Sequence, residues 1–483
     1  MTIKDLDPKR VWNNFYLLTQ IPRPSKKEGK AVLFLEKFGK DLGLETIKDH
    51  VGNIIIRKPA TPGMENRKGI ILQAHMDMVP QKNNDKVHNF ETDPIETRIV
   101  EDWVYANGTT LGADDGLGCA AAMSVLEASD LVHGPIEALF TIDEETGMTG
   151  ARALQPNMLN GDILLNLDSE DEGELYVGCA GGLDATAEFA YEEEAIPAGY
   201  EVFALNVKGL RGGHSGMEIN QGRANSNKII VRILLPLLRD LGAKLVRIEG
   251  GNLRNAIPRE AVAVVAAPAD KMSEVNALIA KVFAEAKNEY APIDPGLEIF
   301  TEPAKAEKCM AGDVALRAVR AVYAAPCGVD RMSLAMEDLV ETSNNLAIFK
   351  SENGKITVKT LMRGSIDSAK ETLGEAIRAT FELAGATVTL TGGYSGWQPN
   401  MDSAILKEMK ETYKNLFGVE PAVKAIHAGL ECGILGTNYP NWDMISCGPT
   451  LRSPHSPEER ANIPTVKKWW DFLVEVLKNA PAK

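Results

Sequence analysis

The fold is decided by the stretch Gly69-Ile70-Ile71-Leu72-Gln73-Ala74-His75-Met76-Asp77. Its apolar run predicts a buried strand, and polar side chains follow at the point where that strand ends. Residues i and i+2 of a strand point to the same side, so His75 and Asp77 converge. Such a pair suits a metal site, where one side chain binds the ion and the other fixes the imidazole. A polar strand end with a solvated Asp is the alternative for this motif taken alone.

Two further predicted strands end in acidic residues in the same way. Residues 136–142 are followed by Asp143-Glu144-Glu145, and residues 163–167 are followed by Asp168. Adjacent carboxylates repel one another unless a cation or solvent offsets their charge. The acidic triplet is therefore either a solvated turn or part of a metal centre, where one carboxylate binds the metal and its neighbour reaches a water.

A pair of carboxylates also precedes a predicted Ala-rich helix at residues 116–129. In Gly112-Ala113-Asp114-Asp115-Gly116 the acids favour a helix N-terminus, and the glycines permit tight turns. The spacing of the glycines does not match the dinucleotide fingerprint, and two carboxylates would repel a phosphate. For this motif alone, helix cap and metal ligand remain equal alternatives.

The last signal is His455, in Ser453-Pro454-His455-Ser456-Pro457. A loop histidine between prolines is ordinarily just exposed, but this one could supply the second imidazole that a paired metal site needs. Four junctions between strand and loop each deliver Asp, Glu or His. That coincidence fits the rule that open α/β sheets bind ligands beyond the carboxyl ends of their strands.

The composition excludes several classes of protein. Hydrophobic residues make up 44% and charged residues 25% of the 483 residues, as in an ordinary globular chain rather than a disordered one. The net charge of −15 argues against sequence-independent nucleic-acid binding. No apolar stretch approaches the roughly 20 residues of a membrane-spanning helix, and no signal core is present. The six cysteines are scattered singly, which favours a reduced cytoplasmic compartment.

The order of predicted elements indicates an α/β protein. The first third alternates strands and helices, as in a sheet domain, and after about residue 200 helices alternate with paired strands in an order that recurs. We therefore predict a mixed-sheet catalytic domain at residues 1–185 and 395–483, interrupted by a large α+β lid domain at 186–394 that is a duplicated βαβ unit. The helices are expected at 27–42, 116–129, 226–241, 271–289, 313–323, 371–384 and 466–477. The strands are expected at 53–56, 70–72, 136–142, 163–167, 202–207, 261–266, 346–349, 356–361 and 387–390.

Taken in order, these motifs resemble a known family. The set is His75-x-Asp77, Gly112-x-Asp114, Asp143-Glu144-Glu145, Asp168 and His455. It resembles the zinc metallopeptidase family that contains glutamate carboxypeptidase, acetylornithine deacetylase and carnosinase. Within that family, the length of the chain and its Gly-Ala-Asp-Asp-Gly run are similar to those of the aminoacyl-histidine dipeptidases. The resemblance spans essentially the whole chain.

The resemblance implies a centre of two zinc ions, for which Mn²⁺ or Co²⁺ could substitute. Asp114 would bridge the ions, His75 and Asp168 would complete one site, and Glu145 and His455 the other. In this family an Asp at the position of Asp168 accompanies dipeptidases and aminopeptidases, whereas Glu accompanies carboxypeptidases and deacylases. Glu170 lies close enough in sequence to leave that register open.

The resemblance also implies a reaction and the residues that perform it. A water bridging the metals, deprotonated by Glu144, would attack the peptide carbonyl, and Glu144 would pass the proton to the leaving amine. Asp77 would hold His75, and His214 of the lid would stabilise the oxyanion. The expected substrates are unblocked dipeptides, Xaa-His and β-alanyl-histidine among them.

Four further residues are implied on the substrate side. Arg363 matches the arginine that clamps a substrate carboxylate, and Asn255 is expected to assist His214. Gly429 and Glu431, in His427-Ala428-Gly429-Leu430-Glu431, resemble the family's substrate loop, with Glu431 meeting the free amine. Smaller members borrow the lid histidine from a partner subunit. The longer lid here could supply His214 within one chain, so a homodimer is permitted but not required.

Three alternatives remain at this stage. The nearest is an amide deacylase or carboxypeptidase that uses the same metals. A metal- or peptide-binding protein without catalysis is the second, although Glu144 would then be a spare carboxylate beside the ligands. The third is a cysteine hydrolase built on Cys432 or Cys447.

Overall fold

The computed structural model describes residues 2–483. The helices are α1 Lys9–Thr19, α2 Gly29–Asp41, α3 Ala113–Glu127, α4 Glu144–Gly147, α5 Thr149–Ala153, α6 Ser226–Asp240, α7 Met272–Tyr290, α8 Val314–Ala324, α9 Asp367–Leu383, α10 Ala404–Phe417, α11 Glu431–Asn438 and α12 Ile463–Lys478. None of the helices within these residues is both long and apolar enough to cross a bilayer.

The strands fall into five sheets. They are β1 Glu45–Lys48, β2 Ile54–Lys58, β3 Ile70–His75, β4 Thr97–Val100, β5 Trp103–Ala106, β6 Ile136–Thr141, β7 Ile163–Asn166, β8 Glu174–Cys179, β9 Gly181–Ala190, β10 Glu193–Ala195, β11 Tyr200–Lys208, β12 Gly213–His214, β13 Lys244–Gly250, β14 Ala256–Ile257, β15 Ala261–Pro268, β16 Glu298–Pro303, β17 Lys308–Met310, β18 Gly328–Met332, β19 Val340–Glu352, β20 Lys355–Gly364, β21 Thr387–Tyr394, β22 Ala422–Ile426, β23 Asp443–Ser446, β24 Leu451–Arg452 and β25 Arg460–Asn462.

The described residues form two compact units. The first comprises the chain up to Gly178 with Trp397–Ala425 and Leu430–Lys483, and the second comprises Cys179–Gly396 with Ile426–Gly429. The second unit thus takes in a short segment, 426–429, that lies far along the chain from the predicted lid. The assignment of the two units as catalytic domain and lid stays a prediction.

A mixed eight-stranded sheet forms the first unit, which confirms the predicted α/β class. Its order is β1-β2-β6-β3-β7-β23-β8-β22. The strands β6, β3 and β7 are parallel neighbours, and β23 is parallel to β7, whereas β1 and β2 pair antiparallel. Every residue of β3, β6 and β7 is buried, as expected of strands covered on both faces. The helix α3 is buried along almost its whole length, which explains its Ala-rich sequence without a polar face.

The second unit contains a nine-stranded antiparallel sheet built from two similar halves. The path of strands is β16-β11-β15-β13-β19-β20-β9-β21, with β18 beside β19. One half runs β11-α6-β13-β15-α7-β16, and the other runs β9, then α8-β19-β20-α9-β21. Each half is therefore a βαββαβ unit, which has two strands and one helix more than the predicted βαβ repeat. The first half is inserted after the first strand of the second.

The helices of the second unit cover one face of its sheet through apolar stripes. In α6 the buried residues include Ile229, Ile233 and Leu237, which recur at helical spacing. The side chain of Asn225 caps this helix by accepting from the N–H groups of Asn227 and Lys228. Sequence periodicity located these long elements well. It missed α1, α10, the short helices α4, α5 and α11, the longer strands β8, β9, β13 and β16, and the short strands, among them β4, β5, β24 and β25.

Candidate metal centre

The predicted metal ligands gather at one edge of the first unit's sheet. Because β3, β6 and β7 are parallel neighbours, their carboxyl ends bring His75, the acidic turn 143–145 and Asp168 together. Asp114 comes from the first turn of α3, where helical backbone angles are interrupted. His455 comes from the loop between β24 and β25, in the left-handed backbone region with a φ of 59°.

Asp114 lies between the two imidazoles. Its Oδ1 is 3.1 Å from Nε2 of His75, and its Oδ2 is 3.2 Å from Nε2 of His455. Oδ1 of Asp168 is 3.3 Å from His75 Nε2, and Oε2 of Glu145 is 2.9 Å from His455 Nε2. The five side chains thus form two groups of three that share Asp114, with one oxygen turned to each group. Asp168, rather than Glu170, is the acid beside His75.

The spacing of these atoms fits a pair of metal ions. Ligand atoms held about 2.0–2.1 Å from a tetrahedral Zn²⁺ lie about 3.3 Å from one another. The four separations above fall between 2.9 and 3.3 Å. Oε1 of Glu145 is buried and has no hydrogen-bond partner among residues 2–483. A buried carboxylate oxygen in that state is expected where a cation supplies the missing partner.

The electrostatics of the cluster also call for positive charge. Burial raises the pKa of Glu145, and it raises the pKa values of Glu144 and Asp168 well above their usual range. For Asp114, burial alone would raise the pKa, but hydrogen bonds with His455 and His75 outweigh it and lower the pKa. Several crowded carboxylates in a water-poor pocket are stable as anions only beside cations. The donors present therefore fit two divalent ions.

Asp77 ties the first imidazole to the acidic turn. The residue is fully buried, and its Oδ1 is 3.4 Å from Nδ1 of His75. Its carboxylate accepts from the hydroxyl of Ser25 at 2.7 Å and from the backbone N–H groups of Glu144 at 3.1 Å and Glu145 at 3.3 Å. One side chain therefore orients both His75 and the start of α4.

The three adjacent acids of the turn have three different environments. The carboxylate of Asp143 accepts from the hydroxyls of Thr146 and Thr149 and so stabilises the turn itself. Glu145 faces His455. Glu144 makes no comparably short contact with an imidazole, since its Oε2 lies 4.0 Å from Nε2 of His75. The arrangement separates an acid that stabilises the turn, a candidate ligand beside His455 and a carboxylate that contacts neither imidazole closely.

For the Asp114-Asp115 pair, helix cap and metal ligand were equal alternatives. Asp114 has the surroundings of a candidate ligand, and Asp115 has those of a cap. Asp115 accepts from the backbone N–H of His75 at 3.2 Å and of Gly118 at 3.1 Å. A Cβ at Gly118 would lie only 2.2 Å from Asp115 Oδ1, so glycine is required there. Asp115 also lies within metal-ligand distance of His75 and Asp168. Because both of its oxygens already bind backbone donors, we assign it to helix capping.

Sequence reasoning missed Glu459, which shapes the loop that carries Asp114. Its Oε2 accepts from the N–H groups of Leu111 and Gly112, and its Oε1 accepts from those of Ala113 and Asp114, at distances of 2.7 to 3.3 Å. Four backbone donors around one carboxylate fix the position of the loop that carries Asp114. The residue lies four positions after His455, so the same segment supplies a ligand and a support.

Arg23 was also missed, because nothing in its sequence context marks it. This buried guanidinium donates to the carbonyl oxygens of Met76 at 3.1 Å, Asp77 at 2.8 Å and Gly112 at 2.5 Å. It thereby joins the loop after β3 to the loop before α3. A Cβ at Gly112 would lie 2.7 Å from Arg23 Nη2, which explains the glycine.

Replacing Arg23 with Met is expected to lower the free energy of unfolding of the first unit by about 2–4 kcal/mol, because three buried carbonyls lose a charged donor. Urea unfolding checks this value. The matched control is Arg10→Met, since Arg10 pairs at 3.0 Å with the exposed Asp130 and should matter by less than about 1 kcal/mol. Equal losses in the two variants would contradict the role assigned to Arg23.

The second unit holds the predicted lid residues His214 and Asn255 close together. His214 lies on β12, directly opposite Ala256 of β14, and the carbonyl of Asn255 accepts from the N–H of Ser215 at 2.9 Å. Nδ1 of His214 accepts from the backbone N–H groups of Gly216 at 3.2 Å and Met217 at 3.1 Å. With Nδ1 occupied as an acceptor, the neutral ring carries its proton on Nε2. Burial, followed by the charge of Arg363, lowers the pKa of His214 and favours that neutral form.

Arg363 and Gly429 belong to the same unit, whereas Glu431 belongs to the first. Arg363 lies near the end of β20, is almost completely buried and donates from Nε to the Ser215 hydroxyl at 3.3 Å. Gly429 ends the segment 426–429, which the Ala180 N–H holds through the carbonyls of Ile426 and Ala428.

Glu431 is buried within the sheet of the first unit. Its Oε2 accepts from Gln73 Nε2 at 2.6 Å and from the Thr141 hydroxyl at 2.7 Å, and its Oε1 has no partner among the described residues. Gln73 and Thr141 lie on β3 and β6, just before the ligand-bearing loops. The carboxylate therefore links these strand ends, and its predicted contact with a substrate amine stays a prediction.

The site and fold define a peptidase. Residues 71–479 match the model of peptidase family M20/M25/M40, so the chain belongs to that family. The predicted resemblance and the predicted enzyme class, a hydrolase of peptide bonds, are thereby confirmed.

Similar proteins cover the whole chain. The cytosol non-specific dipeptidase of Escherichia coli (strain K12) is 45% identical over 482 residues, which cover 100% of this chain and 99% of that protein. The crystal structure of aminoacylhistidine dipeptidase from Vibrio alginolyticus has a TM-score of 0.94 at 45% identity and covers 100% of this chain and 99% of its own. The aminopeptidase PepT from Bacillus cereus ATCC 10987 shares the fold, with a TM-score of 0.58 at 17% identity over 98% of this chain and 99% of its own.

Proposed function

We propose that this peptidase is a dinuclear zinc dipeptidase that hydrolyses unblocked dipeptides, Xaa-His and β-alanyl-histidine among them. The proposal is carried by the Asp114 carboxylate, whose two oxygens face two separate groups of imidazole and carboxylate donors. The dipeptidase names of the two full-length relatives support the substrate class.

The metal ligands are assigned from the two groups. His75, Asp114 and Asp168 would hold one ion, and Asp114, Glu145 and His455 would hold the other. Imidazole nitrogen and carboxylate oxygen suit Zn²⁺, and Mn²⁺ or Co²⁺ accept the same donors. When bound, such a pair polarises the substrate carbonyl and lowers the pKa of a water towards about 7.

Glu144 moves the proton in this proposal. Its carboxylate takes a proton from the attacking water and then gives it to the leaving amine nitrogen. Burial raises the pKa of Glu144, which makes the carboxylate a stronger proton acceptor. Asp77 keeps this glutamate in place by accepting from its backbone N–H.

His214 stabilises the negative charge that develops on the carbonyl oxygen. Because Nδ1 accepts two backbone N–H groups, Nε2–H is the donor available to the substrate. Asn255, which lies beside His214 in the chain's short β12–β14 pairing region, is assigned to the same end of the substrate. Arg363 clamps the C-terminal carboxylate, Gly429 lines the site, and Glu431 meets the free amine.

The experiment that tests the proposed function compares β-alanyl-histidine with its N-acetylated form. A dipeptidase requires the free amine. Acetylation is therefore expected to lower kcat/KM by at least about 10²-fold, because the buried Glu431, which is assigned to that amine, would lose its charged partner. The assay measures histidine release by both substrates at equal enzyme and zinc concentrations.

The acetylated substrate also distinguishes the rival functions. An amide deacylase would cleave it faster than the free dipeptide. A carboxypeptidase would cleave both at comparable rates, because it recognises mainly the C-terminal residue. Either result would replace the dipeptidase proposal.

Two further assignments belong to the proposal. The cytosol name of the Escherichia coli relative supports a cytoplasmic location for this chain. A homodimer, which is permitted but not required for the proposed chemistry, stays a prediction.

A further inference from the structure

The second unit contains a buried cation that lacks an anionic partner. Arg363 is 5% exposed, and its partners among the described residues are hydroxyl groups, those of Ser215 and Tyr394. The negative charge of Asp184 also raises the pKa of Arg363, but Asp184 is itself paired with Arg254 at 3.1 Å. A buried guanidinium in this state is prepared for an anionic ligand.

A buried histidine lies next to this guanidinium. Nε2 of His427 is 2.7 Å from the hydroxyl of Ser343, and Ser343 is directly opposite Arg363 in the β19–β20 ladder. His427 and Arg363 both border Gly216, because a Cβ on that glycine would lie 2.0 Å from the His427 carbonyl oxygen and 3.2 Å from Arg363 Cδ. Direct cross-strand neighbours have Cβ atoms about 4.5–5.5 Å apart, so the Ser343–His427 pair flanks the guanidinium.

The imidazole of His427 has one nitrogen without a well-formed hydrogen bond. The residue is 6% exposed, and its Nδ1 has no partner at good hydrogen-bond geometry among residues 2–483. Burial, followed by the charge of Arg363, lowers the pKa of His427 to about 3, against a smaller opposing effect of a hydrogen bond from the ring to the Val340 backbone carbonyl. The ring is therefore neutral at physiological pH, Nε2 is bound to Ser343, and a substrate carboxylate would compete with the Val340 carbonyl for the ring N–H.

We infer that His427 is a specificity-determining residue of this peptidase, which donates from Nδ1 to the C-terminal carboxylate of the substrate beside Arg363. Ser343 donates its hydroxyl proton to Nε2 and so keeps the ring proton on Nδ1. The inference rests on the proposed dipeptidase function. It adds His427 to the residues that recognise the substrate, and it makes a free C-terminal carboxylate a requirement for tight binding.

The pairing of a cation with a neutral donor explains the selectivity. A carboxylate offers two acceptor oxygens, one for Arg363 and one for His427. A C-terminal carboxamide offers only one acceptor, and its NH₂ group would face a donor of the pocket. A site that directs one donor to each of the two terminal atoms therefore binds the carboxylate and rejects the carboxamide.

The test uses zinc-loaded enzyme with two substitutions of the same histidine. His427→Asn keeps a polar nitrogen near the Nδ1 position, whereas His427→Gln keeps one near the Nε2 position and leaves the carboxylate without its second donor. KM and kcat are measured with β-alanyl-histidine, and the inhibition constant is measured with its C-terminal carboxamide. We expect His427→Gln to raise KM about tenfold or more with kcat within about threefold, and to leave the inhibition constant unchanged. His427→Asn should retain KM within about threefold.

A pair of serines on one strand provides the matched control. Ser343→Ala releases the imidazole and should raise KM for the dipeptide but not the inhibition constant of the carboxamide. Ser351→Ala removes a hydroxyl that binds the backbone of Ile248 and the side chain of Tyr191, and it should change neither constant. These variants keep the test valid if His427→Gln fails to fold, which a lowered thermal midpoint would show.

The outcomes separate the two proposals. Equal changes in the KM of the dipeptide and the inhibition constant of the carboxamide, or no change in either, would overturn the role of His427. Failure of the unmodified enzyme to cleave the dipeptide would overturn the proposed function before any variant is measured.

Discussion

Replacing Glu144 with Gln is expected to lower kcat by about 10²–10⁴-fold while both metal ions stay bound. The amide has nearly the shape of the carboxylate but cannot accept the proton of the attacking water. The backbone contact between the Glu144 N–H and Asp77 does not involve the substituted group, so the α4 turn should persist. Steady-state kinetics and metal analysis of the same preparation check both halves of the expectation.

The neighbouring Glu145→Gln provides the comparison. Glu145 contacts His455 at 2.9 Å, and its second oxygen is unpartnered among the described residues, as expected of a ligand. This variant should lose metal as well as activity. Appreciable turnover by Glu144→Gln, or loss of metal by that variant, would contradict the division of roles between the two glutamates.

Replacing Asp114 with Ala is expected to disrupt both metal sites at once and to lower dipeptide turnover by at least about 10³-fold. Within residues 2–483, Asp114 is the one side chain that contacts both imidazoles, His75 through Oδ1 and His455 through Oδ2. Without it each group keeps only two of its three ligands, and the remaining carboxylates lose the charge balance of a full site. Elemental analysis of the purified variant, together with its turnover, measures the effect.

An exposed aspartate near the end of the same helix serves as the control. Asp130→Ala removes a side chain that pairs only with Arg10 and should leave metal content and activity unchanged. Retention of activity by Asp114→Ala would exclude a shared metal centre.

The cysteine-hydrolase alternative makes the opposite prediction for two reagents. Cys432 and Cys447 are buried, and burial raises the pKa of Cys447 to about 11, which disfavours the reactive thiolate. A metallopeptidase should lose turnover with a chelator and keep it with a thiol alkylator.

The sequence predicted those elements whose periodic patterns are strong. The fully apolar β3 and the amphipathic α6 lie where the periodicity indicated, within a few residues at each end. Short strands such as β24 and β25 could not be predicted, since two or three residues carry no periodic signal. The transfer of segment 426–429 to the second unit was equally hidden, because it depends on contacts such as the Ala180 N–H with the Ala428 carbonyl.

Four of the five candidate ligands were predictable because they follow a recognisable strand or glycine motif, whereas His455 was assigned mainly through the family resemblance. The residues that position them were not. Arg23 and Glu459 act on backbone groups far away in sequence, Arg23 on carbonyls and Glu459 on N–H groups, and such contacts leave no pattern in either segment. His427 could not be predicted as a site residue, because its contact with Ser343 depends on the position of β19, which is distant in sequence.

The central claim is that five side chains bind two cations through a shared aspartate. Its most direct test is titration of metal-free protein with Zn²⁺ while bound metal per chain and β-alanyl-histidine hydrolysis are followed together. We expect binding to saturate at two ions per chain, with hydrolysis appearing as the sites fill. Saturation at one ion, or full hydrolysis by metal-free protein, would contradict it.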